Sequence, residues 1–150
     1  MKTSEKGIDL LKVLEEGKGF SSKSYICSAG KRTIGYGHVI LPDDNIIEPI
    51  TEDQAEDILE KDVMLAENAI NKYVKIPLTQ NKFDALVCFV FNVGRTNFKT
   101  STLLKFINTQ LWDKIPKQFM RWVYHDKKLI KGLENRRKIE VRLWNNENIT

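Results

Sequence analysis

The chain holds little cysteine, little histidine and no long apolar run. Its 150 residues include two cysteines, Cys27 and Cys88, too few for a disulfide framework. Cys88 lies in the apolar stretch 86–90, which makes it a buried and inert thiol. With two histidines in the whole chain, no Cys/His cluster has metal-ligand spacing, so neither metal nor cofactor is expected. No glycine-rich loop is built to cradle phosphate. No stretch reaches the ~20 apolar residues of a membrane-spanning helix, and residues 1–9 lack the apolar run of a signal peptide. The expectation is a product made in soluble form in the cytoplasm, whose export needs outside help. Internal repeats and low-complexity tracts are absent.

What is present suits one compact domain of modest size. The apolar fraction is 41%, with 3 Trp and 7 Phe, enough for a real core, which excludes disorder. The net charge of +4 and pI near 9.0 favour anionic partners such as nucleic acid, acidic lipid or cell-wall polymer. The cationic excess is concentrated: residues 114–144 carry ten Lys/Arg against three Asp/Glu, a local charge of +7. A solvated basic face and attraction to an anionic envelope both fit it.

Ile8, Leu10, Leu11 and Leu14 outline a short amphipathic helix stopped by Gly17 and Gly19. A β-hairpin region follows over about 24–40, then loop and short strand over 41–49. Thr51 and Gln54 form a capping box at the head of a helix running to about Lys72, long enough to join two parts of the molecule. Thr79 opens a further helix with Phe83, Leu86, Val87 and Val90 on its apolar stripe. Helices are then expected near 102–108, 113–122 and 134–144. All β signal falls in the small N-terminal part, a segregation that argues α+β.

The segment C-S-A-G-K-R-T-I-G-Y-G-H, residues 27–38, carries the strongest chemical pattern. Read as a strand, it sets Thr33, Gly35 and Gly37 on one face and Ile34, Tyr36 and His38 on the other. The first face offers one hydroxyl and bare backbone, suited to close approach of a large polar ligand. A plain hairpin whose glycines only ease a bend fits equally well.

Several motifs resemble one family in its own order. They are T-I-G-Y-G-H, the P-L-T-Q-N-K-F-D-A-L-V run from Pro77, F-N-V-G from Phe91, S-T-L-L from Ser101, R-W-V-Y from Arg121 and G-L-E-N-R-R from Gly132. Together these are similar to the phage-type lysozymes, the endolysins of glycoside hydrolase family 24. The resemblance implies an α+β, lysozyme-like two-lobed fold. A small N-terminal β-hairpin lobe (about 15–50) and a larger helical C-terminal lobe (about 77–150) are joined by a long helix (about 52–72), with the N-terminal helix packing on the helical lobe. It implies hydrolysis of the β-1,4 bond between N-acetylmuramic acid and N-acetylglucosamine in peptidoglycan, with inversion. It also implies a cytoplasmic monomer that reaches the wall through a separate membrane pore. The implied partners are peptidoglycan glycan strands and an anionic cell envelope, and not nucleic acid.

The family's catalytic set is a Glu, then an Asp or Cys, then a Thr. Cys27 and Thr33 match the last two. Counted back from Cys27 without a gap, the position of the acid holds Lys18. Counted forward along the helix, the apolar residues Ile8, Leu10, Leu11 and Leu14 stand in the family's relation to Glu15, which makes Glu16, Gly17 and Lys18 an insertion. Glu16-Gly17 also imitates the family's Glu-Gly pair, but is rotated by about 100° of helix. Glu15 is the preferred acid and Glu16 the alternative. If the insertion displaces the acid, the chain binds glycan without cutting it. A basic protein that disrupts membranes through its C-terminal helices is a third class of reading. The resemblance further suggests Asn92, Gly94, Ser101 and Thr102 as sugar contacts, with helix caps and turns as the plainer role. It suggests Arg136 and Arg137 for the carboxylates of the muropeptide, and His38 with Asp62 as a structural pair.

Overall fold

A computed structural model describes residues 1–14 and 19–147. Helix α1 spans Glu5–Leu14. Strands β1 (Ser21–Ile26), β2 (Arg32–Gly35) and β3 (His38–Val39) form an antiparallel sheet in that order. Helix α2, Glu52–Tyr73, then leads into the helical part: α3 (Gln80–Val93), α4 (Arg95–Lys99), α5 (Thr102–Asn108), α6 (Ile115–Phe119) and α7 (Lys131–Trp144). This arrangement is α+β.

The start of α2 is set by the capping box that the sequence announces. Thr51 Oγ1 accepts from the Gln54 amide, and the Gln54 side chain accepts from the Thr51 amide. Thr79 caps α3 in the same way through the Lys82 amide. Residues 83–90 of α3 are buried without interruption, so α3 is a central helix with neighbours all round. It packs against α1, α2, α4 and α7. Phe89 meets Phe98, Phe119 and Trp122 edge to face at 5.3–6.5 Å. Burial of each such ring is worth about 2–3 kcal/mol.

Helix α1 is moored to this body from its first turn. Ser4 donates from its amide and its hydroxyl to the buried Asp84 carboxylate of α3. Thr3 donates twice to Glu67 of α2. A Cβ at Gly7 would stand 2.7 Å from Thr3 Cγ2 and 2.9 Å from Asp84 Cγ, so glycine is what allows α1 to lie this close. The mooring fixes where the far end of α1, at Leu14, arrives.

Four local features depart from the sequence expectations. First, T-I-G-Y-G-H is not one strand. Gly35 and Gly37 take φ of +68° and +79°, the chain reverses at Tyr36 and Gly37, and Ile34 pairs with His38. Gly35 consequently turns away from Thr33 and packs on α2, where an added Cβ would lie 3.3 Å from Ala55 Cβ. Second, β structure is not confined to the N-terminal part. Strands β4 (Tyr124–His125) and β5 (Lys128–Leu129) form a hairpin between α6 and α7, turning on Asp126 and Lys127 at φ +49° and +66°. Two consecutive left-handed residues make the tight turn that suits hairpin twist, but Lys127 is a poor sequence signal for it. Third, the helix expected over 113–122 shortens to α6 behind a 3-10 turn at Trp112–Lys114, and α7 starts at Lys131 rather than 134. Fourth, 41–49 contains no strand.

Candidate active site

A cavity of about 420 Å³ opens between the three-stranded sheet and the helical part. One wall comes from the β1–β2 connection and the sheet: Cys27, Ser28, Ala29, Lys31, Thr33, Gly37 and Val39. The facing wall comes from the end of α3 and from the β4–β5 hairpin with the start of α7: Phe91 and Asn92, then Trp122, Tyr124, His125 and Ile130. Leu14, at the end of α1, closes one side.

The sheet wall is built by a tight connection. The Cys27 amide donates to the Lys31 carbonyl at 2.9 Å, and Gly30, at φ +76°, donates back to the Cys27 carbonyl at 2.8 Å. Tyr25 pairs with Thr33 and Ile26 with Arg32, which brings Cys27 and Thr33 to the same mouth of the hairpin. Thr33 is buried, and its hydroxyl donates to the Lys31 carbonyl at 2.9 Å. The hydroxyl hydrogen is therefore committed, and the oxygen keeps its capacity to accept. The hairpin is braced from outside by Glu48, which accepts from the Ser24 amide and hydroxyl and from Arg32. These donors hold the Glu48 carboxyl below its ordinary value, the Ser24 amide most of all.

His38 and Asp62 are brought together, with Nδ1 2.7 Å from Asp62 Oδ2. A partner that sequence reading missed completes the group: Asp44 Oδ2 lies 2.8 Å from His38 Nε2 and also accepts from the Leu41 amide. The hydrogen bond to Asp62 is the main cause that pushes the His38 pKa up to about 9, with Asp44 adding and burial opposing. The group pins β3 to α2 behind the cavity and does not line it.

Of the other expected contacts, Asn92 and Arg136 line the cavity. Arg136 is itself buried, with a guanidinium hydrogen bond to the Cys88 carbonyl at 3.2 Å. Arg137 lies behind the wall rather than in it. It is fully buried, its guanidinium sits over the Phe89 ring at 5.0 Å, and it bonds to Glu140 and to Asn92 Oδ1 at 2.7 Å. Burial lowers the Arg137 pKa and raises that of Glu140, each partly offset by the other's charge. Gly94 is the turn between α3 and α4 at φ +94°. Ser101 caps α5, accepting from the Leu104 amide and donating to the Phe98 carbonyl. Ser101 and Thr102 line a neighbouring depression of about 260 Å³ that shares Asn97, Arg121 and Trp122 with the main cavity. Glu15, and with it Glu16 and Lys18, lies outside the described residues.

Sequence reading missed Lys31, Asn97, Arg121, Trp122, Tyr124 and His125 as lining residues. The R-W-V-Y motif was a signal for three of them, but nothing local shows that a hairpin folds it against the sheet. The charged lining residues described are Lys31, Arg121 and Arg136, and no carboxylate is among them. No cluster of metal-ligating side chains occurs among the described residues.

A sheet-and-helix cleft of this kind, holding a thiol, a hydroxyl and amides, is the architecture of a lysozyme-type glycoside hydrolase. The model of the phage lysozyme family matches residues 15–140. The chain is 40% identical to an endolysin of Acyrthosiphon pisum secondary endosymbiont phage 1, over 96% of this chain and 98% of that one. Its structure resembles an endolysin from Escherichia coli O157:H7 phage FAHEc1, with a TM-score of 0.82 and 35% identity, covering 96% and 93% of the two chains. It also resembles a P22 lysozyme mutant, with a TM-score of 0.78 and 32% identity, covering 97% and 99%. The chain belongs to the phage lysozyme family. Its activity is that of a muramidase endolysin, acting on peptidoglycan in cell-wall lysis.

Proposed function

We propose that the chain hydrolyses the β-1,4 bond between N-acetylmuramic acid and N-acetylglucosamine by inversion, with Glu15 as the acid and with Cys27 and Thr33 holding the attacking water. The observation that carries this is the make-up of the cavity wall. It sets Cys27 and Thr33 on the sheet side, facing Asn92 and Arg136 on the helical side. Glycoside cleavage needs a protonated acid at the leaving oxygen. Leu14, the last described residue of α1, lines the cavity, and Glu15 follows it in the sequence.

The roles follow from the donors. Thr33 has committed its hydrogen to the Lys31 carbonyl, so it accepts from a water and turns that water's lone pair toward the anomeric carbon. Cys27, half-buried beside it, fills the second position around the water. Inversion is the outcome when water, and not a protein group, attacks the far face of the sugar. Asn92 and Arg136 contact the glycan directly. Arg137 supports Asn92 from behind, Ser101 and Thr102 shape the adjoining depression, and Gly94 turns the chain from α3 into α4. The protein acts as a monomeric single domain over 1–150, with lobes at about 15–50 and 77–150, and reaches the wall through a separate pore. No helix among the described residues is long and apolar enough to cross a membrane.

Turbidity clearing of permeabilised Gram-negative cells tests the assignment. Glu15→Gln is expected to abolish clearing while Glu16→Gln retains it, and the first-formed anomer read by NMR is expected to be inverted. Clearing by Glu15→Gln at the wild-type rate refutes the acid assignment. A wild type that binds walls without clearing them refutes hydrolysis in favour of glycan binding.

A further inference from the structure

The β4–β5 hairpin mounts one largely exposed aromatic ring, that of Tyr124, in the cavity wall. Trp122 and Phe91 also line the cavity, but Trp122 stacks edge-on to Phe89 at 5.8 Å and Phe91 packs on the core. Tyr124 is 60% exposed, and its side chain has no hydrogen-bond or ring partner among the described residues. Its backbone is fastened on both sides. Val123, the residue before it, is buried, and the Val123 carbonyl accepts from the Ile130 amide at 2.9 Å. Tyr124 is paired across the hairpin with Leu129, and the wall opposite, from Ser28 to Lys31, carries no aromatic side chain. An aromatic held in water at the edge of a polar cleft leaves apolar surface uncovered, and a ligand that covers it gains that burial.

Resting on the hydrolase reading, we propose that Tyr124 is a saccharide-stacking platform that sets affinity for the glycan strand. A β-1,4-linked N-acetylhexosamine carries its ring substituents equatorially, so its axial C–H groups form an apolar face that matches an aromatic ring. The equatorial groups point outward, where Asn97, Arg121 and His125 line the same cavity. The ring touches substrate in ground state and transition state alike, so its loss acts on KM and leaves kcat in place.

Steady-state hydrolysis of soluble uncross-linked glycan strands reads the effect. Tyr124→Ala is expected to raise KM about tenfold with kcat within about twofold, while Tyr124→Phe and Tyr124→Trp stay near wild type. Leu129→Ala perturbs the same hairpin without touching the cavity and is expected to leave KM unchanged. An unchanged KM in Tyr124→Ala, or an equal rise in Leu129→Ala, overturns the proposal. Cosedimentation with purified sacculi gives a Kd without requiring turnover. A wild type that binds sacculi without hydrolysing strands strikes the hydrolase reading alone, and Tyr124→Ala is still expected to bind about tenfold more weakly. A sacculus Kd unaltered by Tyr124→Ala, with lost binding to anionic phospholipid vesicles, reassigns the ring to a membrane surface and overturns the platform.

Discussion

Replacing His38 by asparagine is expected to destabilise the protein in acid and neutral solution and to lose most of that effect above pH 10. The imidazole lies between two carboxylates, 2.7 Å from Asp62 and 2.8 Å from Asp44, with its side chain 12% exposed. These contacts raise its pKa from 6.5 to about 9. Below pH 6.5 the ring is charged in both the folded and the unfolded chain, and the stabilisation is fully present. As pH rises through about 9 the folded ring loses its proton and the stabilisation fades. The gap between the two values corresponds to about 3 kcal/mol at pH 5.5, about 2 kcal/mol at pH 7.5 and close to nothing at pH 10. In a domain of this size 3 kcal/mol is about 6–12 °C in Tm. Asparagine can still donate to one carboxylate, so a smaller pH-independent loss accompanies the variable one. The assay is urea or thermal unfolding of wild type and His38→Asn at the three pH values, taking the difference at each so that other titrating groups cancel. A difference that is flat with pH, or that grows toward pH 10, refutes the reasoning.

Two further outcomes follow from the site and its support. Glu140→Gln leaves the fully buried Arg137 guanidinium without its countercharge, and is expected to cost about 3–5 kcal/mol in urea unfolding. Thr33→Val keeps the shape of the side chain and removes the acceptor for water. It is expected to lower kcat about 100-fold in turbidity assays with little change in KM, and a variant with wild-type kcat refutes the water-holding role.

The fold was legible wherever one local rule decided the structure. The Thr51 and Gln54 capping box fixed the head of α2, and Thr79 that of α3, because those side chains satisfy amides within one helical turn. An N-terminal β-hairpin was legible through turn residues and strand pattern, but neither its third strand nor the β4–β5 hairpin was. Legibility failed where distant packing overrides local preference. Lys127 in a left-handed turn is disfavoured on its own and persists because Val123 and Ile130 fasten the hairpin to the body. Gly35 read as open backbone for a ligand, yet its close neighbour is Ala55 of α2.

The sequence by itself determined the family, the α+β class and the Cys27–Thr33 pair, since six residues around one hairpin bring those groups to the same mouth whatever surrounds them. Only the tertiary structure decided the far wall of the cleft. Tyr124 and His125 stand more than ninety positions from Cys27, and their approach depends on how α3 and α7 pack. The same packing sent Arg137 inward to Glu140 while leaving its neighbour Arg136 on the cavity. Adjacent residues on a helix differ by about 100° in direction, so which of two arginines meets the ligand is settled by what the helix lies against.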